Sequence, residues 1–439
     1  GMMKFVLASW GSRGEVEPCA AVGRELLRRG HDVWMAVPPD LVEFGSTVVP
    51  NTVPFGSELR AMMDGYREFW TRVFHRPWQL PKLREILAEM SDPLIDSWGP
   101  MSATLTELAD GADLLLNSAV GFELLAANVA EHYDIPLALL HWFPMRPNGQ
   151  LAPYIPASVC RAAMATFDAL SYGGWARQVE QEQRRALGLP PGRGAWPKRV
   201  LARDPLELQA YDEACFPGLA AEWADWNAQS PPRRPFIGAL TVALSTAEDA
   251  EVLDWATGGS PPIFFGFGSM PVESPAETVA MIAAVSERLG ERALVCAGWE
   301  DFGDVPRFDH VKVVGAVNFA EVFGRCRALV HHGGAGTTAL GLRAGVPTLV
   351  LSTDANQALW GAQLRRLGLG AWRRFGSTTE RTLLKDLRRI LTPEYQARAR
   401  EFAGRMNTPS ESASTAAEYI ERFAVERRRV GRSGPRRRS

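Results

Sequence analysis

Two histidines stand directly ahead of a run of small residues in Val330-His331-His332-Gly333-Gly334-Ala335-Gly336-Thr337-Thr338. The run follows an apolar strand and opens a helix. Small side chains let a ligand approach the backbone. A helix start offers N–H groups with no intrahelical acceptor and about half a positive charge. Together these suit a diphosphate. Thr337 adds a hydroxyl donor, and a histidine adds a ring N–H. A tight turn with core histidines is the plain alternative, and the pairing of histidines with glycines weighs against it. No Gly-Lys-Ser/Thr follows, so this is not a Walker loop. Gly11-Ser12-Arg13-Gly14 is not a GxGxxG fingerprint either, so a dinucleotide oxidoreductase finds little support.

Two further loops follow strands. Phe265-Gly266-Phe267-Gly268-Ser269 places Gly268 and Ser269 where they can contact the same phosphates, although such turns are common. Asn356-Gln357 offers side-chain amides to sugar hydroxyls. An Asn helix cap with an exposed Gln explains that pair equally well.

The elements that must carry these loops are legible as apolar runs. Phe5–Ala8 reads as a buried parallel strand. It is followed by the glycine turn, a helix from about Pro18 to Arg29 closed by Gly30, and a strand at Val33–Val37. Further strands fall at Leu114–Leu116, Leu137–Leu140, Pro262–Phe267, Leu294–Cys296, Val311–Val314, Leu329–Val330 and Thr348–Leu351. Val279, Ile282, Val285 and Leu289 share a helical face, as do Ala416, Ile420 and Phe423. The stretch Glu58–Met101, rich in Trp, Phe and Met, reads as mainly helical. Gln229-Ser230-Pro231-Pro232-Arg233-Arg234-Pro235 reads as a linker by its proline content. The expected fold is therefore α/β, with two tandem Rossmann-like doubly wound domains facing across a cleft. The boundaries are 1–226 for the first domain, 227–240 for the linker, 241–409 for the second domain, 410–426 for a final helix and 427–439 for a disordered basic tail. Ligands of such sheets sit beyond the carboxyl ends of the strands.

Composition narrows the classes. The chain has 439 residues, 46% hydrophobic and 22% charged, enough for two domains with full cores. A net charge of -2 argues against a nucleic-acid binder. Arg427–Ser439 carries seven arginines and no acid. It reads as a solubilising end, with weak contact to an anionic membrane as the alternative. Five scattered cysteines without a CxxC fit a cytoplasmic protein and argue against a zinc site. The apolar stretch that ends at Gly11 is too short for a secretion signal.

The order of these motifs resembles the inverting nucleotide-sugar glycosyltransferases of the GT-B fold. The similarity is to the bacterial branch with sterol, macrolide, glycopeptide-antibiotic and mycobacterial glycopeptidolipid enzymes. Gly11-Ser12-Arg13-Gly14-Glu15-Val16-Glu17-Pro18 resembles the opening motif of that branch. Leu140-His141-Trp142-Phe143-Pro144-Met145-Arg146-Pro147 and Phe216-Pro217-Gly218-Leu219-Ala220 resemble the glycopeptidolipid type. The resemblance covers nearly the whole chain apart from the arginine tail.

It implies roles. His331, with His332 beside it, contacts the donor diphosphate. Gly334, Ala335, Gly336 and Thr337 form the phosphate loop, and Ser269 is a second phosphate contact. Gly11 and Ser12 border the donor, Val317 lies at the nucleobase, and Asn356 and Gln357 meet the sugar. Glu15 stands where the branch has an Asp general base. The acceptor side includes the Glu58–Met101 stretch and His141, Trp142, Phe143 and Met145, each of which plain core packing would also explain. Three departures stand out: Glu15 for Asp, Asn356 for Asp beside Gln357, and Ala339 where the plant branch has a ribose-binding Glu. Without that carboxylate, dTDP-sugars stay beside UDP-sugars as donors.

The expected reaction is metal-free, cofactor-free, inverting transfer to a hydroxyl of a small hydrophobic natural product or lipid. Glu15 takes the proton, and Asp354 or His141 are the next candidates. Two other readings are a non-catalytic partner or activator of another glycosyltransferase and a sugar-nucleotide epimerase.

Overall fold

The computed structural model describes residues 1–57, 80–152, 154–171, 176–267, 274–298 and 304–433. The chain divides into two compact units. Unit 1 comprises Gly1–Val242 and Pro409–Ser439, and unit 2 comprises Ala243–Thr408.

Unit 1 contains β1 (Lys4–Ala8), β2 (Asp32–Val37), β3 (Thr52–Pro54), β4 (Leu114–Asn117), β5 (Leu137–His141) and β6 (Leu206–Gln209). They form one sheet in the order β3-β2-β1-β4-β5-β6, with every pairing parallel. Unit 2 contains β7 (Ile263–Gly266), β8 (Ala293–Cys296), β9 (Val311–Val314), β10 (Ala328–His331), β11 (Thr348–Ser352) and β12 (Gly370–Arg374). Their order is β12-β11-β10-β7-β8-β9, again all parallel. Each sheet therefore reverses direction of growth once: between β1 and β4 in unit 1, and between β7 and β10 in unit 2. Doubly wound sheets bind ligands at the carboxyl side of that reversal. The loops there are Gly11–Ser12 and the residues after Asn117 in unit 1. In unit 2 they are the residues after Gly266 and those after His331.

Both faces of the second sheet are covered, which explains its continuous apolar strands. Phe265, Val295 and Val330 pack with Val279, Ile282, Val285 and Leu387 on one face. Phe264, Leu294 and Leu329, one residue out of step, pack with Val252, Val322 and Phe323 on the other. In unit 1, Val6, Ala8, Leu115, Leu137 and Leu139 pack with Trp98, Met101, Leu105 and Leu125.

Three expectations change. The first helix spans Arg13–Arg28, so Pro18 lies inside it and Ser12 is its cap. The proline-rich stretch is not a free linker. Glu207 N donates to Arg233 O at 2.7 Å and Gln209 N to Pro235 O at 2.9 Å, so residues 233–235 extend the β6 edge. Unit 1 accordingly runs on to Val242, whose N–H donates to Glu17 Oε1 at 2.8 Å. Finally, the last helix spans Pro409–Ser433, so Arg427 to Ser433 are helical rather than disordered; residues 434–439 lie outside the described residues. That helix belongs to unit 1. Ala416, Ala417, Ile420 and Phe423 are fully buried, Arg29 meets Glu421 at 2.6 Å, and Arg427 pairs with Asp204.

Among the described residues, no helix is long and apolar enough to cross a membrane. All five cysteines are free and buried.

Candidate functional site

His331 ends β10 and is buried. Its Nδ1 accepts the Gly333 N–H at 2.9 Å. The proton of the neutral ring therefore sits on Nε2, and that buried Nε2 has no partner among the described residues. Burial, and then the neighbouring His332, push the pKa of His331 down to about 3. The ring is thus a neutral hydrogen-bond donor in want of an acceptor. Thr338 Oγ1, four residues into the following helical segment, is also buried and has no partner among the described residues.

The glycines shape the turn that follows. Gly333 has φ +91°, and a Cβ there would press on Val350 and on Gln357 O. A Cβ on Gly334 would meet His332 Nε2 at 2.8 Å. Gly334 caps the helix Ala335–Ala344, whose first N–H groups have no intrahelical acceptor. A Cβ on Gly336 would meet nothing within 4 Å among the described residues. The close approach of Gly333 to Gln357 brings the second motif alongside the first.

At that second motif, Asp354 rather than Asn356 caps the helix Ala355–Arg366 and accepts from Gln357 N at 2.9 Å. Gln357 Oε1 accepts from Thr353 N and Thr353 Oγ1 at 2.7 and 2.9 Å. The carbonyl end of the amide is thus engaged, and the end it can turn to a sugar is its NH2.

Val317 follows β9, three strand positions from β10. Its side chain is buried with Leu294, Cys296 and Phe323. The turn before it is held by residues that motif reading missed. Glu248 Oε2 accepts from Gly315 N and Ala316 N at 3.0 and 3.1 Å, and Asp249 Oδ1 from Asn318 N at 2.8 Å. Gly268 and Ser269 lie outside the described residues. Among the described residues, no group of three or more His, Cys, Asp or Glu is arranged to hold a metal ion.

In unit 1, Glu15 occupies the third position of the first helix. Its Oε2 accepts from Ser12 N at 2.7 Å, closing a capping box with the Ser12 side chain. A Cβ on Gly11 would overlap that carboxylate, so Gly11 makes room for Glu15. The first-turn role is therefore present. A carboxylate offers about four lone-pair sites, and this cap bond occupies one of them.

His141 ends β5 and is buried, as is Trp142; Phe143 and Met145 are half-buried. Of Glu58–Met101, residues 58–79 lie outside the described residues, and a helix spans Leu80–Ala109. Beside His141 lies a charge network whose members the sequence did not single out. Arg146 bonds Glu123 Oε2 at 3.1 Å and also bonds Glu207, Arg234 meets Glu207 at 3.0 Å, and all four are buried. Burial alone would raise Glu123, but Arg146 and His141 outweigh it and hold it down at about 2. The same balance, set by Arg146 and Arg234, lowers Glu207. The alternation Leu206-Glu207-Leu208-Gln209 was the available signal: it places a charge on one face of an edge strand.

Two Rossmann-like units in tandem define the architecture of a GT-B fold. Comparison with known proteins agrees. Residues 292–422 match the erythromycin biosynthesis protein CIII-like C-terminal domain. An uncharacterised glycosyltransferase of Mycobacterium tuberculosis is 49% identical over 421 residues, 95% of this chain and 98% of the relative. The vancomycin aglycone glucosyltransferase of Amycolatopsis orientalis is 29% identical, covering 95% of this chain and 97% of the relative. The calicheamicin glycosyltransferase structure superposes with a TM-score of 0.69 at 17% identity, over 99% of this chain and all of that one. A glycosyltransferase solved in complex with dTDP gives 0.63 at 16%, over 97% of this chain and 100% of that one. The chain belongs to the GT-B glycosyltransferases of the macrolide and antibiotic type.

Proposed function

We propose that this glycosyltransferase moves a sugar, with inversion, from a UDP- or dTDP-sugar to a hydroxyl of a small hydrophobic natural product or lipid. The observation that carries the donor assignment is the buried Nε2–H of His331, without a partner among the described residues, ahead of the helix Ala335–Ala344. A diphosphate oxygen supplies the missing acceptor, and the helix start stabilises its charge. Gln357 offers its NH2 to the sugar. Ala339 is a buried alanine and cannot hold a ribose hydroxyl, which favours tolerance of both nucleotides. The solved relative bound to dTDP supports keeping the deoxyribose donor.

In the reaction, the acceptor oxygen forms a bond to the anomeric carbon as the bond from that carbon to the diphosphate breaks. The acceptor proton passes to Glu15, and the nucleoside diphosphate leaves with the electron pair. The charge that develops on the diphosphate is met by His331 and the backbone N–H groups, so no cofactor and no metal ion is required. Transfer should persist in excess EDTA; loss with EDTA and recovery with Mg²⁺ would refute the metal-free reading.

The capping bond of Glu15 to Ser12 favours one second reading, a non-catalytic partner of another glycosyltransferase in which Glu15 serves the helix alone. Slow hydrolysis of the nucleotide sugar without acceptor separates the two, because only a working donor site cleaves it.

A further inference from the structure

The carboxyl edge of the first sheet holds two buried hydrogen-bond acceptors that nothing among the described residues satisfies. Asn117 ends β4 and is 2% exposed; His141 ends β5 and is 1% exposed. Asn117 Nδ2 donates to Ala119 O at 3.2 Å, while Oδ1 has no partner. His141 faces Glu123 through Nε2, 3.5 Å from Oε1. That is long for a hydrogen bond, and Nε2 too has no hydrogen-bond partner among the described residues, but the carboxylate beside it favours one tautomer. Glu123 is ionised and can only accept, so the proton of a neutral ring sits on the nitrogen turned toward it. Nδ1 is then a lone-pair acceptor, buried and unpartnered.

The two acceptors share a side of the sheet. Asn117 is in register with Leu139, and residues two apart on a strand share a face. Strands about 4.8 Å apart with a rise of about 3.3 Å per residue place the Cα atoms of Asn117 and His141 about 8 Å apart. One small polar group can bridge their side chains. Gln209, in register with His141, shows that the edge is not generally unsatisfied. Its Nε2 donates to Glu207 O at 3.0 Å and its Oε1 accepts from Tyr211 at 2.6 Å. Buried acceptors are rarely left unpaired, and two of them side by side call for a guest that brings O–H or N–H. The site lies on β4, at the strand reversal where such sheets take ligands.

We propose that Asn117 Oδ1 and His141 Nδ1 receive hydrogen-bond donors of the acceptor substrate, so that unit 1 selects apolar acceptors bearing adjacent O–H or N–H groups over their methylated counterparts. Glu123 orients His141, and Arg146 orients Glu123. The proposal rests on reading unit 1 as the acceptor side.

The test is calorimetric binding of 2,3-dihydroxynaphthalene and 2,3-dimethoxynaphthalene to the full chain. The wild type should bind the diol at least about tenfold more tightly. His141→Gln keeps a donor toward Glu123 and loses the acceptor at Nδ1, and Asn117→Leu loses Oδ1; each should shrink the preference to below about threefold. His141→Asn, which restores an acceptor near Nδ1, should keep it. Equal binding of the two compounds by the wild type, no binding of the diol, or a preference that survives both losses would overturn the proposal. So would a crystal structure grown with the diol that shows only a water between the two atoms. Hydrolysis of UDP-glucose or dTDP-glucose without acceptor reads the donor half separately. Hydrolysis without a diol preference overturns this inference and leaves glycosyl transfer standing. A diol preference without hydrolysis or transfer does the reverse.

Discussion

His331 is neutral at neutral pH, so what it can offer the proposed diphosphate is one directed hydrogen bond rather than a charge. Replacing it by Gln keeps an NH2 near the Nε2 position, whereas Asn keeps only the Nδ1 side. Nucleotide affinity should therefore fall about tenfold or more in His331→Asn and less in His331→Gln, as read by calorimetry. The same residue leaves a mark on stability. Its folded pKa of about 3 lies below the ordinary 6.5. Between those values the unfolded chain takes up a proton that the native chain refuses, so stability falls as pH is lowered through the window. Glu123, held at about 2 against 4.5, also costs stability in acid, but only below about pH 4.5. Denaturant unfolding between about pH 6.5 and pH 4.5 should thus lose part of its pH slope in His331→Gln and keep it in Glu123→Gln. Glu15 is tested by Glu15→Gln, because Gln preserves the capping box and removes the base. Turnover should drop by roughly 10² to 10⁴ with melting temperature and nucleotide affinity little changed. Near-normal turnover would move the search to His141 or Asp354.

Among the elements, the interior strands and the edge strand β9 were legible, and the other three edges were not. β1, β2, β4, β5, β7, β8, β10 and β11 are apolar runs of the kind a doubly covered sheet demands. β3, β6 and β12 all lie at sheet edges and read as Thr-Val-Pro, Leu-Glu-Leu-Gln and Gly-Ala-Trp-Arg-Arg, where polar residues break the run. The turn after β10 and the helix start behind it were legible for a related reason: the glycines there are the residues the turn requires. The network of Glu123, Arg146, Glu207 and Arg234 was not, because its members come from separate segments and meet only in the fold. Arg146→Met should cost about 3–5 kcal/mol, since it leaves two buried carboxylates short of a partner. The final helix was legible as a helix and misjudged at its end. Phe423→Ala should cost about 3–5 kcal/mol, read as a lower melting temperature of unit 1. Removal of residues 427–439 should cost about 1 kcal/mol through the half-exposed Arg427–Asp204 pair, whereas removal of 434–439 alone should leave the melting temperature unchanged.

For the whole molecule, the division of the chain makes a direct prediction. Unit 2 is continuous, from Ala243 to Thr408, and holds all the described residues of the proposed diphosphate site. A fragment of those residues should fold and bind UDP or dTDP, with a melting temperature that rises with nucleotide concentration; about 100 times Kd should add about 2.7 kcal/mol. A fragment ending at Val242 lacks the helix that covers its first helix. It should aggregate alone and become soluble when residues 409–433 are added as a separate peptide. Soluble, cooperative unfolding of the shorter fragment by itself would show that the helix is dispensable.

The return of residues 409–433 to unit 1 also orders events at the ribosome. The first unit to be translated is the last that can be completed, because its final helix emerges only after all of unit 2. Unit 2, made second, can close as soon as its own residues are out. During the interval the buried faces of unit 1 that await Ala416, Ile420 and Phe423 are open to water and to other nascent chains, and this is when transiently exposed apolar surface invites misassembly. A ribosome stalled when residue 408 has just cleared its exit tunnel should therefore carry a nucleotide-binding second unit and a protease-sensitive first one.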